Sequence, residues 1–325
     1  MVYEKERQTA IAAVTAAAKL CETIRRKKSQ PLTKEDTSPV TIADFGAQAI
    51  ICQALGENFP EDAIIGEEDA SILQQSDRQE VFSGLVGLIQ DILPHSTPDD
   101  ILHWIDRGNG KIAPRYWTLD PIDGTKGFIR GDQYAIALAL VENGDLKLGI
   151  LGCPALPLDP TDANSGKGLI FLAVRGEGTQ MLSLEDNTSQ TAKVNGTNDP
   201  QTLRLITSVE AGHSDRNKQE ALMTALGMTS PPLRMDSQAK YAAVARGEAD
   251  LYSRIPPKDR RDKQENIWDH AAGAIVLEEA GGRVTDLDGK PLDFSLGEKL
   301  TANRGILASN GIIHDRALEF THKKN

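Results

Sequence analysis

The chain has 325 residues, 39% of them hydrophobic and 26% charged, a size and mixture that suit two packed domains and exclude a disordered or low-complexity protein. Its 36 Lys and Arg are outnumbered by 47 Asp and Glu, a net charge of −11. That sign argues against a generic partner for nucleic acid or an anionic membrane, and an anionic substrate would need a local reversal of charge by bound cations or a small basic pocket.

The first ten residues, MVYEKERQTA, carry charges where a secretory signal would be apolar. The longest apolar run, Ala271 to Leu277, is far below the ~18 residues a membrane span needs. A cytoplasmic location is therefore expected. Residues 4–28 read as a helix, rich in alanine, with Ala10, Val14, Ala17, Ala18 and Cys21 at helical spacing. The polar SQPLTKEDTSP reads as a loop, and Thr41–Leu55 as a second helix opened by capping residues near Ser38 and Thr41. A short strand, AIIG, leads into Glu67-Glu68-Asp69, and 71–105 read as mainly helical. A strand from Tyr116 is expected to stop at Asp120-Pro121, because proline cannot simply continue a strand.

From Gln133 to Leu184 the pattern becomes antiparallel strands, with hairpin turns at Asn143-Gly144 and Gly176–Gly178. After the polar stretch Asn195–Pro200, strands alternate with helices: LRLITSV, Asp215–Gly227, PPLRM, Gln238–Arg246, ADLYSRI, Trp268–Glu279 and ILASN. The fold class expected is an α+β domain over 1–200 followed by an α/β domain over 201–325. The three cysteines, Cys21, Cys52 and Cys153, have no C-x-x-C spacing, so neither a disulfide framework nor a zinc site is expected.

The segment Leu119-Asp120-Pro121-Ile122-Asp123-Gly124-Thr125 carries the strongest chemical signal. Two carboxylates three residues apart, on a turn with a free backbone carbonyl, suit a hard oxygen-seeking cation. The same letters also make an ordinary turn. Asp44 in the first turn of its helix, Glu67 at a strand end and Asp269 at a helix start are acidic stations of the same kind. Taken singly, each reads more readily as a structural acid, Asp44 and Asp269 favoured by the helix dipole and Glu67 solvated at a strand end.

Taken together, SPVTIAD, IIGEED, LDPIDGTKGF and WDHAAGAIVLEEAGG resemble, in order and rough spacing, the inositol-monophosphatase superfamily, which includes fructose-1,6-bisphosphatases. The resemblance covers about Asp36 to the C-terminus and implies its layered sugar-phosphatase fold. It implies two or three Mg²⁺ held by Glu67, Asp120, Asp123, Asp269 and the carbonyl of Ile122. It also implies Asp44 and Thr125 as the pair that positions and deprotonates the attacking water.

SVEAGHS, MDSQAKYAAVARGEADLYSRIPP and GTKGFIRG further resemble the 3′(2′),5′-bisphosphate nucleotidase branch, which acts on adenosine 3′,5′-bisphosphate and often its sulfated relative. By that resemblance Gly124, Thr125, His213, Ser237, Lys240 and Arg254 contact the substrate. Without it, Lys240 and Arg254 would read as a solvated surface pair and His213 as a loop histidine. An inositol polyphosphate or sugar phosphatase on the same metal core is the alternative, and a catalytically silent relative of the fold is a third. Oligomeric state is not legible, and the idiosyncratic Pro94–Gly110 and Pro256–Asn266 are expected to affect substrate choice at most.

Overall fold

The computed structural model describes residues 2–27, 42–162, 164–186, 188–210, 212, 214–257 and 264–323. The SQPLTKEDTSP loop, Ser38, Thr41, His213 and the middle of Pro256–Asn266 lie outside these residues.

Two helices, α1 (Glu4–Lys27) and α2 (Ile42–Asn58), open the described chain. Then come β1 (Ala63–Gly66), two short 3-10 turns, and the helices α3 (Gln79–Gln90) and α4 (Pro98–Asp106). Helix α4 begins with a capping box in which Thr97 and Asp100 satisfy each other's backbone N–H groups. β2 (Arg115–Asp123), α5 (Thr125–Arg130), β3 (Ala135–Glu142), β4 (Asp145–Pro157), β5 (Lys167–Val174), β6 (Gly178–Ser183) and β7 (Ser189–Ala192) follow. Strands β1 to β7 form one sheet in sequence order, β1 and β2 parallel and the rest antiparallel. Asn143 and Gly144 both have positive φ (52° and 83°), the two-residue hairpin geometry their identities demand.

The second half contributes β8 (Leu205–Thr207), α6 (Arg216–Leu226), β9 (Leu233–Arg234), α7 (Ala239–Ala245), β10 (Leu251–Arg254), α8 (Ala271–Glu279), β11 (Arg283–Thr285), β12 (Ile306–Ser309) and α9 (His314–Lys323). Its five strands lie in the order β11-β12-β10-β8-β9.

Burial explains the stacking. Alternate residues of β3 face opposite ways: Ile136, Leu138 and Leu140 pack with α1 and α2, while Ala135, Ala137 and Ala139 pack toward α7 and α8. The small alanines let the second pair of helices lie close to the sheet. Ile206, Tyr252 and Ala308 of the five-stranded sheet close over the same two helices, and Leu205, Leu251 and Leu307 face α6 and α9. The result is five alternating layers, helix-sheet-helix-sheet-helix. The middle layer is covered on both sides, which is why all seven residues of α7, and Ala271 to Leu277 of α8, are buried.

Two expectations about elements change, and four elements were not anticipated. β2 runs on to Asp123 instead of stopping at Asp120, and its pairing with β3 shifts between Asp120 and Asp123, so that Pro121 falls in the irregular stretch where a ladder bond is not required. α8 begins at Ala271, leaving Trp268 to His270 as a turn. Helix α5, strands β7 and β11 and helix α9 were not anticipated; β7 is a short polar edge strand, SQTA, with no apolar alternation to betray it.

Candidate active site

The site lies where the C-terminal ends of two parallel strands meet the middle layer. β1 and β2 pair with Gly66 opposite Leu119, so the next residues, Glu67 and Asp120, emerge at the same level. Asp44 arrives from the first turn of α2 and is almost fully buried. One turn later on that helix, Gln48 clamps the peptide beyond Glu67. Its Nε2 donates to the carbonyls of Glu68 (2.6 Å) and Ile105 (2.9 Å), and its Oε1 accepts from the Glu68 N–H.

After Asp123 the chain turns at Gly124, whose φ of +87° is unfavourable for any side chain. A Cβ built there would also come within 3.0 Å of Ser237 Cβ. The turn starts α5 and sets the Thr125 hydroxyl 3.2 Å from the Ile122 carbonyl and 3.5 Å from Asp44 Oδ1. Asp269 comes from the turn before α8. Carboxylate oxygens of Asp120, Asp123 and Asp269 lie within 4.8 Å of one another. Ligand oxygens around an octahedral Mg²⁺, each ~2.1 Å from the ion, stand about 3 to 4 Å apart, so the cluster has the right scale.

The electrostatics point the same way. Asp120 is 2% exposed, and its Oδ1 is buried with no hydrogen-bond partner among the described residues, a costly arrangement unless a cation supplies the missing contact. Burial first, then Glu67 and the neighbouring aspartates, pushes its carboxyl well above the usual range. Glu67 opens onto the cleft but sits deep among protein atoms. That depth, reinforced by Asp269 and Asp44, moves it up to about 8. Asp123 and Asp269 are also raised by burial, against the pull of Lys240 on the first and Arg254 on both.

Facing the carboxylates across a cleft of about 360 Å³ are Ser237, Lys240, Tyr252 and Arg254. Lys240 is 4% exposed; burial lowers its ammonium to about 8, countered by Asp123. Its Nζ donates to the Ser237 carbonyl at 2.6 Å and lies 5.2 Å from the centre of the Tyr252 ring. Arg254 Nη2 meets Glu265 Oε2 at 2.7 Å. Ser237 has φ +66°, a strained value for a residue with a side chain, at the point where the chain presses on Gly124. Such strain is characteristic of functional sites.

The structure thus brings Asp44, Glu67, Asp120, Ile122, Asp123, Gly124, Thr125, Ser237, Lys240, Arg254 and Asp269 to one cleft or directly beneath it, and His213 lies outside the described residues. Lys240 and Arg254 are held inside the protein, not on a solvated face. Sequence reasoning passed over Arg130, which reaches Asp236, Asp132 and, at 2.7 Å, Glu210, so tying α5 to the far wall. It also passed over Glu265, Gln238 and Lys126; the last stands in the GTKGF stretch, beside Thr125.

Comparison with known proteins gives the family and the fold. The inositol monophosphatase family matches residues 5–324, and the chain belongs to that family. Its fold is that of solved inositol monophosphatases from Anabaena (22% identical, TM-score 0.65, covering 99% of this chain and 97% of that one) and Thermotoga maritima (22%, 0.66, 98% and 97%). At higher identity it is similar to proteins named 3′(2′),5′-bisphosphate nucleotidase. Those of Emericella nidulans and Schizosaccharomyces pombe are each 42% identical, covering 99% of this chain and 99% and 96% of theirs, and that of Oryza sativa is 40% identical, covering 95% and 91%.

Proposed function

We propose that this protein is a Mg²⁺-dependent phosphomonoesterase that removes the 3′-phosphate of adenosine 3′,5′-bisphosphate, giving AMP, and accepts the sulfated analogue. The observation that carries the reading is the pairing of two opposite environments in one cleft: carboxylates around Asp120 Oδ1, which has no hydrogen-bond partner among the described residues, and the buried Lys240 and half-buried Arg254 facing them. The names of the relatives at about 40% identity support the choice of substrate.

In this reading Glu67, Asp120, Asp123, Asp269 and the Ile122 carbonyl hold two or three Mg²⁺. When bound, these ions supply the positive field that attracts a phosphate, acidify a water and neutralise charge on the departing oxygen. The residues do the rest. Thr125 Oγ1 takes the proton of the attacking water as its own passes toward Asp44 Oδ1, 3.5 Å away. The start of α5 sets the Thr125 hydroxyl between the Ile122 carbonyl and Asp44, either of which can accept its one proton, and the relay uses the bond to Asp44. Lys240 and Arg254 hold the phosphate that does not react, the first as a point charge and the second as a fork. Ser237, Gly124 and His213 complete the substrate contacts.

The same proposal divides the chain at residue 200 into a metal-binding and a nucleotide-binding part, with Asp269 reaching back across the cleft. It also sets the enzyme in the cytoplasm, acting on a small nucleotide and not on nucleic acid or membrane, in keeping with the net charge of −11.

The test is kcat/KM for adenosine 3′,5′-bisphosphate and adenosine 3′-monophosphate, with and without Mg²⁺, in wild type, Lys240→Ala and Arg254→Ala. Losing a charge-assisted contact should reduce activity on the bisphosphate roughly 10- to 100-fold and barely change the monophosphate. Equal losses on both substrates would remove the two cations from phosphate recognition. A preference for inositol phosphates or fructose-1,6-bisphosphate in the same assay would move the enzyme to another branch.

A further inference from the structure

We propose that Gln238 is a positioning residue that sets the distance between the two walls of the cation site, a role that rests on the metal reading of Asp123 and Asp269. Asp123 stands at the end of β2 in the seven-stranded sheet, and Asp269 on the turn before α8. Their relative position must be held to a few tenths of an ångström for both to serve one ion. Gln238 touches both sides. Its backbone N–H donates to Asp123 Oδ2. Its side-chain Nε2 donates to the carbonyl of Trp268 at 2.8 Å, in the peptide that leads into Asp269. Its Oε1 accepts from the N–H of Gly273 at 2.9 Å.

The last bond explains how α8 starts. The first N–H groups of a helix have no partner within it, and the residue at the N-cap usually supplies one. At α8 that residue is His270, which makes no side-chain capping bond; its Nδ1 is engaged with the Tyr241 hydroxyl at 2.9 Å. Gln238, 35 residues earlier in the chain, caps the helix instead. It is 2% exposed, and both ends of its amide are satisfied, so its rotamer and its amide orientation are fixed.

The backbone is arranged to deliver it. Ser237, with φ +66°, turns the following N–H toward Asp123, and the Lys240 ammonium holds the Ser237 carbonyl in that strained form. One carboxylate oxygen of Asp123 is thereby committed to the protein. A residue that does no more than support the fold would need neither this link to Asp123 nor the one beside Asp269.

The decisive experiment measures Mn²⁺ binding to the full-length, substrate-free protein from the free-ion spin-resonance signal, together with the Mg²⁺ dependence of turnover. Gln238→Leu keeps the volume and removes both side-chain bonds. It should weaken Mn²⁺ binding about 10-fold or more, the scale typical of groups that orient metal ligands. It should move the Mg²⁺ midpoint by a similar factor and leave KM for the nucleotide at saturating Mg²⁺ within about twofold. Gln238→Asn keeps an amide but is one methylene too short to reach both partners; it should shift Mn²⁺ binding by a smaller factor and covers the case in which the leucine variant does not fold. A folded variant that binds Mn²⁺ as the wild type does would overturn the proposal. So would loss of the fold in both, which would assign Gln238 to architecture alone. Wild-type protein that fails to bind Mn²⁺ would sink the cation reading itself and this role with it.

Discussion

Two acidic clusters at opposite ends of β2 make an instructive contrast. At its start, three carboxylates converge on Arg115: Asp62 bonds to Nε at 2.9 and 3.0 Å, Glu6 meets Nη2 at 2.8 Å, and Glu142 meets Nη1. Asp62 also accepts from Trp117 Nε1 at 3.0 Å, and Glu142 from the Tyr3 hydroxyl at 2.6 Å. At the strand's other end, Asp120, Asp123 and Asp269 crowd together with Glu67, and Asp120 Oδ1 has no hydrogen-bond partner among the described residues. The first cluster brings its own counter-ion and closes. The second is left open, and its carboxyls are driven toward the protonated form. Clustered acids therefore say little by themselves; what distinguishes a cation site is that the positive charges nearby, Lys240 and Arg254, stand across the cleft and leave the most deeply buried carboxylate without a direct partner.

The largest expected effect breaks the open cluster. Asp120→Asn should lower turnover about 10³-fold, since an amide keeps the shape but not the charge needed in the transition state. Its thermal stability without metal should be no lower than that of the wild type, because a buried uncompensated carboxylate has gone. Turnover near the wild-type value at saturating Mg²⁺ would remove Asp120 from the site. Thr125→Ala comes next. About 10²-fold should be lost from kcat with KM little changed, and a mutant that loses affinity while keeping its turnover number would make Thr125 a binding residue.

Breaking the closed cluster should give the opposite signature. Arg115→Met leaves three carboxylates without their shared cation and should cost about 2 kcal/mol of stability, reduced from the fully buried case by partial solvent access. Denaturant unfolding would measure it, and turnover of the folded fraction at saturating Mg²⁺ should stay within about twofold. A selective loss of activity would mean that the two ends of β2 are not independent.

The smallest effect concerns a second closed network. His314 is buried between the Thr285 and Ser309 hydroxyls, each 2.9 Å from a ring nitrogen. Burial, with Arg283 adding to it, pushes the imidazole down to about 4 from its ordinary 6.5. Between those values the unfolded chain binds the extra proton and the folded chain does not. Stability should therefore fall as pH drops from 6.5 toward 4 and be independent of this group above 6.5. His314→Gln should have a shallower stability-pH slope across that window; an identical slope would show that His314 does not titrate there.

Much of this was legible from residue order alone. Glycine-turn hairpins, the alanine-rich first helix and the switch to alternating strands and helices near residue 200 are local signals, set by propensity and periodicity over a few residues. The acidic stations stand at strand ends and helix starts, where side chains of one site can gather, but it was the order and spacing of their motifs, through the family resemblance, that singled them out. What the one-dimensional pattern could not separate was an open from a closed carboxylate cluster. Asp62 and Glu142 look no different in sequence from Glu67 and Asp123, because the counter-ion that closes a cluster comes from anywhere in the chain.

The sequence by itself determined most of the elements and the change from an antiparallel to an alternating pattern near residue 200, and its motifs carried the family resemblance that implied the layered fold and the acids of the site. Only the tertiary structure decided how far β2 runs past Pro121, that Lys240 is buried and Arg254 half-buried against Glu265 and neither is on a solvated face, and that a glutamine caps a helix 35 residues away. The reason is one of range. Propensity and periodicity act within a turn or a strand. Burial, charge compensation and remote capping depend on which segments the packing of five layers brings side by side, and that packing is a property of the whole chain.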